Sequence, residues 1–221
     1  MAINYSDSAI CGELLKDDLN IIAGQGTWRE NSKIFSKYTG FVKEKNNIIS
    51  VTPLNGVYMP KKDDFVIGQI LRVGFNNWSV DINSPFVAML YLSELKEFIK
   101  NGDDIENYYR KGDVLYLNIS AVTKSKFVNV SMKPTMCKKL YDGLIISVCP
   151  TRVKRIIGKS GSMIKLIIQK TGCNILVGQN GLVYLNNGNI DLAIKTIRFI
   201  EKKFLEKNLT KRVEEELNSN S

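Results

Sequence analysis

The stretch "VKRIIGKSGSMIKLI" (residues 153–167) sets basic side chains and two glycines between two apolar runs. Gly158-Lys159-Ser160 has the ending of a nucleoside-triphosphate loop, but that loop also needs a glycine five positions before Gly158. Position 153 is Val153, so the backbone cannot wrap a triphosphate in that way. The glycines must serve another geometry, and the flanking sequence says which.

Working outward, "GLIISV" (143–148) reads as a strand. "TRVKRIIG" follows Pro150 as a short helix with Thr151 at its N-cap. "SMIKLIIQKTG" is a second helix ended by Gly172. "NILVG" and "LVYLN" form a hairpin across the reverse turn "QNG". A long helix then returns Ile190, Ile194, Ile197 and Phe204 to one face, and the tail "VEEELNSNS" is expected to fray. The order β-α-α-β-β-α with Gly158-Lys159-Ser160-Gly161 between the first two helices resembles the KH domain, whose loop clamps single-stranded backbone. Glycines let the main chain approach phosphates, and the next helix opens with free amides that favour anions. Ile156, Ile157 and Ile164 are expected to offer bases an apolar floor. A GxxG alone is most often an ordinary loop; the surrounding frame gives it weight.

Charge points the same way. The chain has 31 basic and 22 acidic residues, and residues 134–221 carry 15 of the basic and 7 of the acidic groups. No acid lies between Asp142 and Asp191, whereas Arg152, Lys154, Arg155, Lys159, Lys165 and Lys170 do. Such a cluster attracts phosphate polymers, although a charge run without other signals is usually a solvated face. Arg152, Lys154, Arg155, Gly158, Lys159, Ser160, Gly161 and Lys165 are the RNA-binding candidates here.

Residues 62–133 give five candidate strands: "FVIGQILRVGF", "NWSVDI", "FVAMLYL", "DVLYLNISAV" and "KFVNVSM". A more helical stretch, "SELKEFIKNGDDIENYYRKG", separates the third from the fourth. This pattern fits an OB-type barrel, in which aromatic groups stack on bases and cations track the backbone. Phe75 and Trp78, near Arg72, are the stacking candidates, with a barrel-core role for Trp78 at least as well supported. Lys124 and Lys126 in the last hairpin are either a solvated turn or a backbone contact. Residues 1–61 read as short strands and turns ("NIIAGQGTW", "KIFSKYTGFV", "NIISVTPL", "GVYMP"), hence a small antiparallel β unit. The expected fold is multidomain, β-rich plus α/β: an N-terminal β domain (1–61), a five-stranded OB-type barrel (62–133) and a KH domain with C-terminal helix and tail (134–221).

Several functions are disfavoured. There is no histidine, so Ser-His and Cys-His nucleophile arrangements are excluded. Cys11, Cys137, Cys149 and Cys173 are far apart, which predicts buried thiols and neither metal nor cofactor. Asp63-Asp64 and Asp103-Asp104 mark turns rather than acid–base pairs. No apolar run approaches membrane-spanning length and the N-terminus lacks a signal pattern, so a soluble, cytoplasmic protein without membrane contact is expected.

Together "GQGTW", "PLNGVYMP", "DDFVIGQI", "WSVDI", "KGDVL", "PTRVKRIIGKSGSMI" and "CNILVGQNGLVYL", in this order, resemble the RNA-binding cap subunits of the archaeal exosome, the ribosomal-RNA-processing protein four family. The resemblance covers nearly the whole chain. It implies an N-terminal domain that grips a ring of ribonuclease-PH-like subunits, an S-one type OB domain and a KH domain. It further implies three copies per complex and a non-catalytic role, recruiting single-stranded RNA to a pore where the ring degrades it 3′ to 5′ with phosphate. An intact GxxG and a short chain favour an archaeal source, while the richness in Asn, Ile and Lys suits an A·T-rich genome that could equally belong to a parasitic eukaryote. The alternatives are a free-standing OB/KH RNA-binding protein of transcription or translation and, far behind, an enzyme acting on RNA.

Overall fold

The computed structural model describes residues 8–97, 105–206 and 209–219. The chain divides into two compact units, Met1–Gly56 and Val57–Ser221. No helix among the described residues is long and apolar enough to cross a membrane.

The first unit contains β1 (Ser8–Ala9), β2 (Leu14–Asp17), β3 (Ile22–Ala23), β4 (Thr27–Glu30), β5 (Lys33–Ser36), β6 (Gly40–Lys45) and β7 (Ile48–Pro53). They make two sheets, ordered β1-β6-β7-β3 and β2-β5-β4. Ile21, Ile34 and Ile49 form the core between them, and Trp28 stacks on Phe35 with ring centroids 5.2 Å apart. The unit is not wholly antiparallel as expected, because β3 runs parallel to β7. "KIFSKYTGFV" also splits into two strands, since Lys37–Thr39 turn the chain between β5 and β6.

In the second unit, β8 (Phe65–Val73), β9 (Asn77–Asp81), β10 (Ala88–Tyr91), β11 (Val114–Val122) and β12 (Val128–Ser131) close into a barrel. Closure comes from β10–β12 (parallel), β11–β12 and β8–β11 pairing. Inward residues alternate along each strand: Val66, Ile70, Trp78, Val80, Leu90, Leu115, Leu117, Ile119 and Val130 are almost fully enclosed. Between β10 and β11 the expected helical stretch yields short 3-10 turns at Leu92–Glu94 and Ile105–Asn107; Asp103 and Asp104 lie outside the described residues. Asp63 turns the chain at φ 68, and Asp64 accepts a 2.7 Å hydrogen bond from the Tyr58 hydroxyl. A further strand, β13 (Lys138–Leu140), adds to β11 outside the barrel.

The chain continues as β14 (Leu144–Ser147), α1 (Val153–Ile157), α2 (Ser162–Thr171), β15 (Asn174–Val177), β16 (Leu182–Asn186), α3 (Ile190–Lys202) and α4 (Leu209–Ser219). The sheet order β14-β16-β15 is antiparallel throughout. Along β16 the side chains alternate by face: Val183 and Leu185 join the core built with the helices, while Leu182 and Tyr184 face the barrel residues Ile67, Tyr116 and Leu140. Burial pushes the Cys137 thiol, in the barrel core, up to about 11, so it is protonated and unreactive near neutral pH.

Three local expectations need correction. Thr151 does not sit at the N-cap of α1; it lies inside a 3-10 turn, Pro150–Arg152, that precedes the helix. The buried stripe of α3 is Leu192, Ala193, Thr196, Ile197 and Ile200; of the expected series Ile197 is fully buried, Ile190 and Ile194 pack half-buried against the core, and Phe204 lies beyond the helix end. The tail is helical: Leu209, Val213 and Leu217, four residues apart, bury one face of α4 in the KH core.

The "QNG" turn does more than reverse the chain. Asn180 is fully buried, and its carboxamide donates to the carbonyls of Ile67 (2.6 Å) and Ile82 (2.8 Å) while accepting from the Ile67 amide (3.3 Å). The Gln179 amide donates to the Phe65 carbonyl at 2.7 Å, and Asn83 donates to the Asn180 carbonyl at 3.0 Å. The KH hairpin is thus plugged into the side of the barrel. Asn180→Ala leaves three buried main-chain groups without their partner, and each such loss costs about 1–3 kcal/mol. A fall in unfolding free energy of about 2 kcal/mol or more is expected by denaturant titration, with a far smaller effect from Gln179→Ala.

Candidate nucleic-acid interface

The loop between α1 and α2 is built by backbone geometry. Gly158 ends α1 at φ 76, ψ 177; Ser160 (φ 53) and Gly161 (φ 78) then pass through the left-handed region before α2 starts at Ser162. Only glycine suits position 158, since its φ is positive and a Cβ there would lie 2.7 Å from both the Cβ and the amide nitrogen of Met163. No side chain caps the start of α2; the Ser162 amide is taken by the Lys159 carbonyl, and the helix start carries the partial positive end of the helix dipole. Such a helix start is suited to an anion.

The structure sorts the basic candidates around this loop. Lys154, Lys159 and Lys165 are exposed and form no ion pair among the described residues. Arg152 and Arg155, half-buried, also make contacts within the domain. Arg152 donates to the Glu201 carbonyl at 3.1 Å and lies 4.5 Å from the Phe204 ring centroid. Arg155 donates to the carbonyls of Phe204 (2.9 Å) and Glu206 (3.0 Å). Both guanidinium groups satisfy carbonyls released where α3 ends, which is where cations are favourable. Glu206 in the same connection is held below its usual carboxylate range by hydrogen bonds from Lys203 and Arg212. Of the expected apolar floor, Ile156 is sealed in the core, whereas Ile157 and Ile164 are half-buried beside the loop.

On the barrel, Trp78 is corrected outright. It is 0% exposed, its indole N–H donates to the Tyr109 carbonyl at 2.9 Å, and its ring meets Tyr109 edge-on at 5.5 Å. It fills the barrel and cannot stack on a base. Phe75, by contrast, is 98% exposed on the β8–β9 turn, and Arg72 is exposed nearby. Lys124 and Lys126 are exposed in the β11–β12 hairpin, Lys126 at φ 64.

Register separates these groups. Val80, Ala88 and Val128 are neighbours across β9, β10 and β12, while Asn77 pairs with Tyr91. The Phe75 turn precedes Asn77 and the lysine hairpin precedes Val128, so the two flank the β9–β10–β12 face from opposite ends. Residues not singled out from sequence occupy that face and its rim: Met89 and Tyr91 point outward on β10, and Phe127 is 68% exposed beside Lys126. The alternation in "AMLY" could have revealed the first two, once Ala88 and Leu90 were placed inward.

Comparison with known proteins agrees with this architecture. Residues 57–121 match the family model described as "RRP4, S1 domain", and residues 144–200 match the KH domain model. Over 218 residues the chain is 40% identical to the exosome complex component Rrp4 of Methanobrevibacter smithii, covering 97% of this chain and 72% of that one. The chain belongs to the Rrp4 family. The Rrp4 of Methanothermus fervidus is 37% identical over 215 residues, 96% of each chain. A crystal structure assigned to an exosome complex RNA-binding protein superposes with a TM-score of 0.64 at 32% identity, over 75% of this chain and all of that one.

The different placements of the two barrel aromatics are measurable. Trp78→Ala should cost about 3–5 kcal/mol in unfolding free energy, as for other large core truncations. Phe75→Ala should leave the thermal midpoint unchanged while weakening single-stranded RNA binding in a fluorescence-anisotropy titration.

Proposed function

We propose that this Rrp4-family protein is a non-catalytic RNA-binding subunit of the exosome. In this reading its first unit (with the β domain assigned to 1–61) docks on a ring of ribonuclease-PH-like subunits, three copies per ring. The barrel (62–133) and KH domain (134–221) gather single-stranded RNA in the cytoplasm for 3′ to 5′ phosphorolysis by the ring. The observation that carries the reading is the start of α2, without a side-chain cap, set behind two glycines of positive φ and flanked by the exposed Lys154, Lys159 and Lys165. That arrangement binds phosphate through main-chain amides and unpaired ammonium groups, and it needs no nucleophile, general base or metal. Phe75, Arg72, Lys124 and Lys126 are the barrel's share of the contact. For docking, the first unit offers exposed apolar side chains, among them Ile10, Leu19, Ile22 and Tyr38.

Lys159→Asp with Ser160→Asp replaces one cation by two carboxylates at the helix start. Anisotropy titrations should show single-stranded RNA binding weakened at least tenfold. The salt slope should fall by about 0.7, the share of one neutralised phosphate on a single strand. Unchanged binding would remove the KH loop from the interface. The ring assignment is tested by purifying the tagged full chain from its own cells with ribonuclease present. Ribonuclease-PH-like subunits should co-purify. Recovery of a lone protein that still binds RNA would favour a free-standing binder.

A further inference from the structure

A second cluster of charge and exposed aromatic surface lies away from the KH loop, where three chain segments meet at one end of β11. The Gly112 amide donates to the Ile70 carbonyl at 2.8 Å and the Ile70 amide donates to the Asp113 carbonyl at 2.9 Å, so Leu71 and Arg72 run beside the Arg110–Asp113 turn. On the other side Val114 pairs with Leu140, which brings Tyr141–Gly143 beside Gly112 and Asp113. Between Gly112–Val114 and Lys139–Gly143 is an open groove of about 360 Å³, lined also by Ile145 and Tyr184. That volume lies within the range of small-ligand sites.

The groove's aromatic edge is held in place. The Tyr141 carbonyl accepts from the Tyr184 hydroxyl and from the Asn186 side-chain amide (3.1 Å), both on β16. Position 143 has to be glycine for this, because a Cβ there would lie 2.0 Å from a Tyr184 ring carbon. With its main chain anchored, the Tyr141 side chain remains 62% exposed, and the Lys139 ammonium sits 5.4 Å from its ring centroid. Asp113 is already engaged, accepting from the Arg110 amide at 2.8 Å and pairing with Lys139. Arg110 and Lys111, next in the chain to the groove residues Gly112 and Asp113, are exposed, and Asp142 lines the groove as well.

An exposed aromatic ring with an anchored main chain, near the exposed Arg110 and Lys111, is the pairing that nucleotides recognise, with the base on the ring and the phosphate on the cations. We propose that this junction groove holds a nucleotide of single-stranded RNA, stacked on Tyr141 with its phosphate at Arg110 and Lys111. The site rests on the RNA-binding reading above but on different residues. It gives the strand a hold between the barrel's Phe75 turn and the KH sheet.

The test uses the full chain and a fluorescein-labelled oligouridylate of about twenty nucleotides, longer than the roughly 16 that one OB fold covers. Tyr141→Ala should weaken binding about tenfold, the lower range of base–aromatic stacking, while Tyr141→Phe stays within about twofold. Lys111→Glu should weaken binding several-fold and lower the salt slope, giving a second readout from a surface position with no packing role. If Tyr141→Ala and Lys111→Glu both bind like the parent while the Lys159/Ser160 double variant is weakened, the junction site is wrong and the KH loop stands. If the parent chain binds no RNA, both fall.

Discussion

Asn180 holds the second unit together by imitating a peptide group. Its carboxamide offers an acceptor to the Ile67 amide and donors to the carbonyls of Ile67 and Ile82, as a neighbouring strand would. A fully buried amide is costly unless its hydrogen bonds are made, so this contact tolerates little displacement. The Leu182 and Tyr184 side of the KH sheet then packs on Ile67 and Tyr116. With that face committed to the barrel, the helices and their glycine loop are left on the opposite face.

The junction also governs how RNA is held. It buries the hairpin turn, and in the proposed reading the KH contribution comes from the α1–α2 loop and the start of α2. The same hairpin carries Tyr184 and Asn186, which anchor the Tyr141 carbonyl. One packing arrangement therefore positions the KH helices and an exposed aromatic on the barrel side. Because both belong to one compact unit, a bound strand would meet preset contacts rather than two independently moving modules, which lowers the ordering cost of binding.

Much of this was legible in the sequence, for identifiable reasons. The barrel strands announced themselves as runs rich in Val, Ile and Leu between turn residues, and the KH order followed from glycines at the ends of short apolar runs. What escaped was decided by long-range partners. Trp78 lies in a strand next to exposed turn residues, and only barrel closure shows it pointing inward. Arg152 and Arg155 lie in an acid-free basic run, yet they donate to main-chain carbonyls some fifty residues on. The α4 stripe of Leu209, Val213 and Leu217 was hidden by the polar residues between, and "LYDG" means nothing until β16 is folded against it.

The most direct measurement is amide hydrogen–deuterium exchange of the full chain with and without single-stranded RNA. The account predicts new protection at residues 158–165, the glycine loop and the first turn of α2, whose start no side chain caps. It also predicts little change at 178–181, whose amides are already sealed in the junction. RNA-dependent protection elsewhere, with residues 158–165 unaltered, would contradict the claim that the α2 start is where this protein holds RNA.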